Sequence, residues 1–256
     1  MPWLDIAILI AAGFAAGGMN ALAGGGTFFS FPALLATGLP PVTANATNAV
    51  ALWPASIAAA WAARKTLQPL GNYLIPLLLA GLGGGLLGGV LLLIGGDEIF
   101  RGLIPWLLLT ATLLFAASPQ LSRALAARRS ASMQPPHTPW SLAAHATVSV
   151  YGGYFGAGMG ILQLAAFSIE GHVLARSNAL KNLISAVIYS VATGTFIIAG
   201  RVSWYELVIL LSGATIGGYA GGALGQHLPP KFLRMLVIAV GSSMTLYYFW
   251  ATYLRS

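Results

Sequence analysis

Lys181 is the side chain of this sequence whose chemistry is least explained by packing. It lies near the start of an apolar run, 178–200, that is long enough to cross a membrane. A charged side chain inside a bilayer costs at least ~2.5–3.5 kcal/mol, so it is by default a candidate for function, here the binding of an anion. The alternative is a lysine near a helix end whose ammonium group reaches the lipid headgroups.

Repeated asparagines open this apolar run and an earlier one. Asn45 and Asn48, three residues apart, share one face of a helix, as do Asn178 and Asn182, four residues apart. Thr47 lies between the first two. Amides at equivalent places predict the polar wall of a cavity, although Asn and Thr at a helix start also serve as simple caps.

Two glycine-rich stretches interrupt apolar segments of the chain. Gly25 and Gly26 precede Thr27, and Gly158 and Gly160 lie at the start of a second short apolar segment. Non-helical backbone at membrane depth survives only inside protein or beside a wet cavity, and the N–H groups of a helix start attract an anion. We predict that both breaks contribute to an anion site; tight turns between packed helices are the alternative.

Four further residues are candidates for binding or proton chemistry. Thr27 and Gln163 are potential hydrogen-bond donors to an oxyanion, and His145 and Glu170 are potential proton carriers. A core histidine bonded to backbone is the alternative for His145. Because the sequence has no Ser/His/Asp arrangement, no metal-ligand spacing and no phosphate-binding loop, we expect neither an enzyme nor a bound metal or cofactor.

The composition indicates which elements position these residues. Of 256 residues, 57% are hydrophobic and 7% are charged, whereas a soluble domain carries roughly a quarter charged residues. Twelve Lys and Arg against five Asp and Glu give a net charge of +7, but they are scattered between apolar runs, as in the loops of membrane proteins. These features exclude a soluble enzyme, a nucleic-acid-binding module and a disordered chain, and they predict an all-α polytopic membrane protein.

An internal repeat relates the two halves of the chain. At an offset of 133 residues, Gly25 aligns with Gly158 and Asn45 with Asn178, and the glycines of 84–89 align with those of 217–222. A segment rich in Pro, Ser and Arg separates the halves. The sequence therefore predicts a first transmembrane repeat at 1–117, a linker at 118–140 and a second repeat at 141–256.

The distribution of basic residues predicts the orientation. If 3–38 and 141–170 are re-entrant hairpins, eight Lys and Arg fall on the side of the linker and three on the other. The eight are Arg64, Lys65, Arg123, Arg128, Arg129, Arg176, Lys231 and Arg234, and the three are Arg101, Arg201 and Arg255. The positive-inside rule then makes the linker cytoplasmic and both termini periplasmic in a bacterial inner membrane. Each half has an odd number of crossings, which predicts inverted repeats whose broken helices meet near the midplane.

Motifs in both halves resemble a known family. Residues 24–34 (GGGTFFSFPAL), then 38–41 (GLPP) and 44–48 (ANATN), resemble the TauE/SafE sulfite exporter family, also called the TSUP permeases. A degenerate second copy at 153–160 (GYFGAGMG) and 177–179 (SNA) is also typical of it. The resemblance implies transport of sulfite or a small organosulfur anion, usually outward.

From these features we expect a lipid-embedded secondary transporter that exports such an anion by alternating access. Protons and a second copy of the chain in a homodimer are left open as partners, and nucleic acid is not expected. One alternative is proton-coupled import of an organosulfonate. Another is a membrane scaffold that transports nothing.

Overall fold

The computed structural model of the protein describes residues 2–22, 25–126, 138–224 and 230–254, and these residues form helices and no strand. The helices are α1 (Trp3–Leu22), α2 (Thr27–Ala36), α3 (Pro41–Ala62), α4 (Arg64–Leu67), α5 (Leu74–Ala126), α6 (Pro139–Tyr154), α7 (Met159–Ile169), α8 (Leu174–Ile198), α9 (Trp204–Leu224) and α10 (Pro230–Phe249). A 3₁₀ segment (Gln68–Tyr73) precedes α5, and a π-helical turn (Trp250–Leu254) follows α10.

The predicted all-α polytopic membrane protein is confirmed. Within the described residues, four helical stretches are long and apolar enough to cross a membrane: Trp3–Asn20, Arg64–Ser118, Ala175–Ile198 and Arg234–Leu254. Many of their exposed side chains are large and apolar, as contact with lipid favours; Leu79, Ile94 and Ile198 are examples. The helices α2 and α7 are shorter, at 10 and 11 residues.

The helix α5 is two helices joined at Gly96. Its φ of 68° and ψ of −175° lie outside the helical region, in a conformation that glycine adopts readily. The chain therefore leaves the helix at this residue and resumes it, which divides α5 into 74–95 and 97–126. Each part overlaps an apolar run of the sequence, at 72–95 and at 102–117.

Backbone hydrogen bonds recur at the repeat offset of 133 residues. Phe28 N donates to Gly25 O at 3.1 Å, and Ile161 N donates to Gly158 O at 3.0 Å. Three further pairs match in the same way: Thr37 N to Ala33 O with Glu170 N to Ala166 O, Gly38 N to Leu35 O with Gly171 N to Ser168 O, and Ala44 N to Pro40 O with Ser177 N to Val173 O. The two copies therefore share the local structure of the break, the short helix and the start of the next helix.

The helices form two compact units, and each unit contains segments from both copies. Unit 1 is Met1–Ala51, Leu92–Ala116 and Phe196–Ser256; unit 2 is Leu52–Leu91 and Ala117–Thr195. Unit 1 thus holds the first hairpin, and unit 2 holds the second.

Glycines allow the close helix packing within each unit. In unit 1, α1 packs along α9, and a Cβ at Gly17 would lie 2.7 Å from the carbonyl carbon of Ala214. In unit 2, a Cβ at Gly84 in α5 would lie 2.5 Å from the Cβ of Ser149 in α6. Small residues on a helix face let two helix backbones approach closely in this way. Each of these contacts joins a helix of one copy to a helix of the other, because α1 and α5 belong to the first copy, and α6 and α9 belong to the second.

Part of the predicted linker lies outside the described residues, namely 127–137. Its first residues, 118–126, continue α5, and Thr138 caps α6 by accepting a hydrogen bond from Ser141 N at 3.1 Å. The repeat boundaries, the re-entrant path of the hairpins, the side of the membrane on which the linker lies and the inverted orientation of the copies stay predictions.

Candidate functional site

In unit 2 the predicted glycine break begins α7. Gly158 has a φ of 76° and is the residue before the helix, and Met159 N and Ile161 N donate to Gly156 O and Gly158 O. The hydroxyl of Tyr151 donates to Ala157 O at 2.6 Å and fixes the loop. The N-terminus of α7 is thereby held in a defined position, with its positive dipole end directed away from the helix.

Lys181 in α8 lies beside this helix start. A Cβ built on Gly160 would lie 3.4 Å from Lys181 Cδ and 3.9 Å from its Cγ. The lysine stem therefore runs beside the second residue of α7, at ordinary contact distance from the built Cβ. The side chain is partly buried. The structure thus brings together two of the predicted residues, Gly160 and Lys181.

Gln163 adds a hydrogen-bond donor to the same helix. Its side chain is 1% exposed, and its Oε1 accepts a hydrogen bond from Ser185 Oγ at 3.0 Å. Its Nε2 is buried and has no hydrogen-bond partner among the described residues. Because an unsatisfied buried amide N–H group costs roughly 1–3 kcal/mol, this group is poised to donate to an added acceptor.

The equivalent positions in unit 1 are hydrogen-bonded to each other. At the offset of 133, Ser30 corresponds to Gln163 and Asn48 corresponds to Lys181. Ser30 Oγ lies 2.5 Å from Asn48 Oδ1 and 3.1 Å from Gly26 O, and both side chains are buried. In the first copy a neutral hydrogen bond therefore joins α2 to α3. In the second copy the residue equivalent to Asn48 is Lys181, which carries a positive charge.

The other predicted site residues lie near these two groups in sequence but differ in environment. Thr27 and Asn45 are buried in unit 1, and Gly25 has a φ of 91°. Thr47 Oγ1 accepts a hydrogen bond from Ser203 N at 3.0 Å, which gives Thr47 a structural role at the start of α9. Asn178 and Asn182 are partly buried in α8.

A second polar group of unit 2 lies at the other end of α7. His145 Nε2 is 2.8 Å from Glu170 Oε1, and Ser141 Oγ donates to the same oxygen. His172 Nε2 is 3.6 Å from Glu170 Oε2 and 2.8 Å from the hydroxyl of Tyr73. We call His145, Glu170, His172 and Tyr73 the histidine–glutamate cluster.

The environment of Glu170 favours its ionised form. Burial raises the pKa of the Glu170 carboxyl, but the interactions with His145, His172 and Ser141 outweigh burial and lower the pKa to about 2. Glu170 is therefore a carboxylate at neutral pH, next to two buried imidazoles.

Sequence reasoning identified His145 and Glu170 but missed the residues that complete both groups. Ser30 and Ser185 hold the amides of Asn48 and Gln163, and His172 and Tyr73 extend the histidine–glutamate cluster. The position of His172, two residues after Glu170, was an available signal. Tyr73 is 99 residues away in sequence from His172, and no local pattern indicates that contact.

Unit 1 also contains an open cavity of about 720 Å³ between α2, the second part of α5 and the C-terminal helix. Its lining is mostly apolar and includes Phe28, Pro32, Tyr248 and the cation Arg101. None of the predicted site residues lines it.

Comparison with known proteins agrees with the geometry of a membrane transporter. A "Probable membrane transporter protein" of Haemophilus influenzae is 28% identical over 243 residues, covering 94% of this chain and 92% of that protein. The "Probable membrane transporter protein YfcA" of Escherichia coli is 27% identical over 244 residues, covering 94% and 88%. No solved structure matches the chain. The profile of the family "Sulfite exporter TauE/SafE" matches residues 9–248, and this multi-pass membrane protein therefore belongs to the TauE/SafE sulfite exporter family.

Proposed function

We propose that the protein is a secondary transporter that exports sulfite or a small organosulfur anion across the bacterial inner membrane by alternating access. Family membership supports transport in general. The anion is supported by the contact of Lys181 with the N-terminus of α7 at Gly160, which is the observation that carries the proposal.

Three features of unit 2 favour an anion at this place. The ammonium group of Lys181 supplies a full positive charge, the start of α7 supplies the positive end of a helix dipole, and Gln163 Nε2 supplies a hydrogen-bond donor. Glu170, the carboxylate of this hairpin, follows the last residue of α7. A sulfite or sulfonate group needs charge compensation and several donors, which this combination provides.

The direction of transport follows from the membrane potential. With the cytoplasm negative, each negative charge that leaves the cell gains about 2.3 kcal/mol per 100 mV. A site with a single lysine and neutral donors binds the anion without the excess positive charge that would retain it.

The proposal is tested by purifying the Lys181→Ala and Lys181→Arg variants and measuring sulfite binding and flux. Sulfite is expected to raise the melting temperature of the wild type in detergent, and to be transported by proteoliposomes. Lys181→Ala should lose both effects, because the charge is removed, and Lys181→Arg should retain part of them. Lys65→Ala, which removes an exposed lysine, is the matched control.

A panel of thiosulfate, sulfate, sulfoacetate and isethionate in the same melting assay identifies the preferred anion. A folded Lys181→Ala variant with unchanged sulfite flux would remove Lys181 from the site. A wild type that responds to none of these anions would contradict the transport proposal and favour a scaffold.

A further inference from the structure

The histidine–glutamate cluster is a buried titratable group that anion binding at Lys181 does not use. We propose that it is a proton-binding site, which takes up and releases one proton in each anion transport cycle. The inference deepens the proposed function and rests on it, since it names protons as the ion coupled to the anion.

The cluster is a series of titratable groups in which two of the three links are at hydrogen-bond distance and the third is an ion-pair distance. From Tyr73 Oη to His172 Nε2 the distance is 2.8 Å, and from His172 Nε2 to Glu170 Oε2 it is 3.6 Å. The series ends at His145, whose Nε2 lies 2.8 Å from Glu170 Oε1. The His145 and His172 side chains are 2% and 0% exposed. Burial of this kind leaves no room for a larger ion beside them, whereas a proton binds to a ring nitrogen directly.

Packing alone does not account for the two imidazoles. The Nδ1 atoms of His145 and His172 are both buried without a hydrogen-bond partner among the described residues. Leaving a buried polar atom unsatisfied costs roughly 1–3 kcal/mol. A cluster selected only for stability would carry apolar rings of similar size at these positions.

The imidazoles are the groups that accept the proton. Because the pKa of Glu170 is lowered to about 2, its carboxylate stays ionised at neutral pH and serves as the counter-charge. Uptake then places one proton on a histidine nitrogen lone pair and forms an imidazolium paired with the carboxylate, with no other bond made or broken. Tyr73 reaches the cluster from the 3₁₀ segment, and among the described residues Arg176 from α8 is a further charged group that interacts with Tyr73.

The first copy has no titratable residue at the positions equivalent to His145, Glu170 and His172. At the offset of 133, His145 corresponds to Ala12, Glu170 to Thr37 and His172 to Leu39. The first hairpin nevertheless has the same backbone hydrogen bonds, including Thr37 N to Ala33 O. The hairpin therefore folds without a His/Glu cluster, and its presence in one copy indicates a role beyond folding.

The helix α7 links the cluster to the proposed anion site. Gln163 and Glu170 are seven residues apart, which is about 10 Å along a helix. Phe167 lies between them, is fully buried, and packs its ring 4.4 Å from the ring of His145 and 5.9 Å from that of His172. A change of charge at the C-terminal end of α7 therefore acts on a rigid element whose other end contacts Lys181.

The test uses labelled sulfite in proteoliposomes whose membrane potential is held at zero with valinomycin and equal K⁺. Coupling to one proton should change the steady-state accumulation ratio of sulfite about tenfold per unit of pH gradient. His145→Gln and His172→Gln should still transport sulfite but lose this response. Sulfite itself is protonated to a different extent at each pH, but this effect is the same for the wild type and the variants. A difference between them in the response to the pH gradient therefore comes from the protein.

Glu98→Gln is the control, since it removes an exposed glutamate outside the cluster and should leave the pH response unchanged. Tyr73→Phe keeps the ring that packs 5.7 Å from the His172 ring and removes only the hydroxyl. It should shift the pH of half-maximal flux, and it keeps the proposal testable if the histidine variants misfold.

Three outcomes would overturn the inference, and they are distinguishable. Variants that retain the wild-type response to the pH gradient, together with an unshifted Tyr73→Phe profile, would remove the cluster from proton coupling. A wild type that transports sulfite without any response would remove protons from the cycle. A wild type without sulfite flux would contradict the proposed transport function itself.

Discussion

The stem of Lys181 lies against Gly160, where a Cβ on the glycine would be 3.4 Å from Lys181 Cδ. A Cβ there would be at ordinary contact distance, so the stem of Lys181 in α8 packs beside the first turn of α7, and a side chain larger than Ala at Gly160 would compete with it for space. The contact joins the two features that sequence reasoning treated separately, the glycine break and the intramembrane lysine.

Enlarging Gly160 should displace Lys181 and weaken anion binding. We expect Gly160→Leu to reduce the affinity for sulfite about tenfold or more, because the loss of a hydrogen bond to a charged group costs roughly 1.5–3 kcal/mol. The measurement is the sulfite concentration that gives half the maximal shift in melting temperature. Gly83→Leu is the control, since a Cβ at Gly83 has no atom within 4 Å. Equal affinity in both variants would show that Lys181 does not need the space at Gly160.

Adding one methyl group between α1 and α9 should destabilise unit 1. In Gly17→Ala the new Cβ would lie 2.8 Å from Ala214 Cα, and overpacking of this kind costs about 1–3 kcal/mol. Gly218→Ala is matched to it, because its Cβ would lie 3.8 Å from Gly17 O, at ordinary contact distance. Thermal unfolding in detergent should therefore show a lower melting temperature for Gly17→Ala alone; equal melting temperatures would contradict the close packing.

We expect substitutions of Gly38, in the turn after α2, to destabilise the protein through the backbone conformation and not through steric overlap. Gly38 has a φ of 87° and no atom within 4 Å of a built Cβ, so Gly38→Ala should cost about 1–2 kcal/mol from backbone conformation only. Gly38→Asn should cost less, because Asn tolerates positive φ. Gly83→Ala, in a helix, should instead stabilise by up to about 1 kcal/mol. Unfolding of the three variants in parallel measures the difference, and a Gly38→Ala variant as stable as the wild type would argue against a positive φ.

The low pKa of Glu170 predicts how stability depends on pH. Because the folded-state pKa, about 2, is below the ordinary value of 4.5, the unfolded chain binds the proton more readily. The stabilisation from Glu170 is therefore fully present above about pH 4.5 and is lost as the pH falls toward 2. Melting temperatures of wild type and Glu170→Gln should differ most at neutral pH and converge in acid. A difference that does not change with pH would show that the Glu170 carboxyl is not ionised by its neighbours.

The predicted orientation is open to direct labelling, because the chain contains no cysteine. A single cysteine replacing Ser130 should react with a membrane-impermeant maleimide only when the cytoplasmic face is exposed. A cysteine replacing Ser256 should react from the periplasm in intact cells. Labelling of both from the same side would contradict the re-entrant path of the hairpins and the inverted orientation that depends on it.

Features that depend on local sequence were predictable. The breaks at Gly25 and Gly158 and the repeat offset follow from residue types at fixed spacing, and the structure has both. The presence of Lys181 at the position equivalent to Asn48 also identifies the second copy as the charged one from residue types alone.

Features that depend on tertiary contacts were not predictable. The contact of Tyr73 with His172 joins the segment before α5 to the turn before α8, and only the packing of unit 2 brings them together. Ser185 was missed for a related reason, since a serine in an apolar helix has no distinguishing spacing and its bond to Gln163 crosses between helices. A single sequence shows local periodicity, but it does not show which distant segments are in contact in the folded protein.

The packing of α1 on α9 has a consequence for how the protein is made. The ribosome finishes α1 about 180 residues before it begins α9, which at about 5–20 residues per second is a delay of roughly 10–40 seconds. During that time the face of α1 that carries Gly17 lacks the helix on which it packs in the finished protein. The helix α6 has no such delay, because its partner in α5 is made before it, so of the two glycine contacts only the one in unit 1 depends on the last part of the chain to be made.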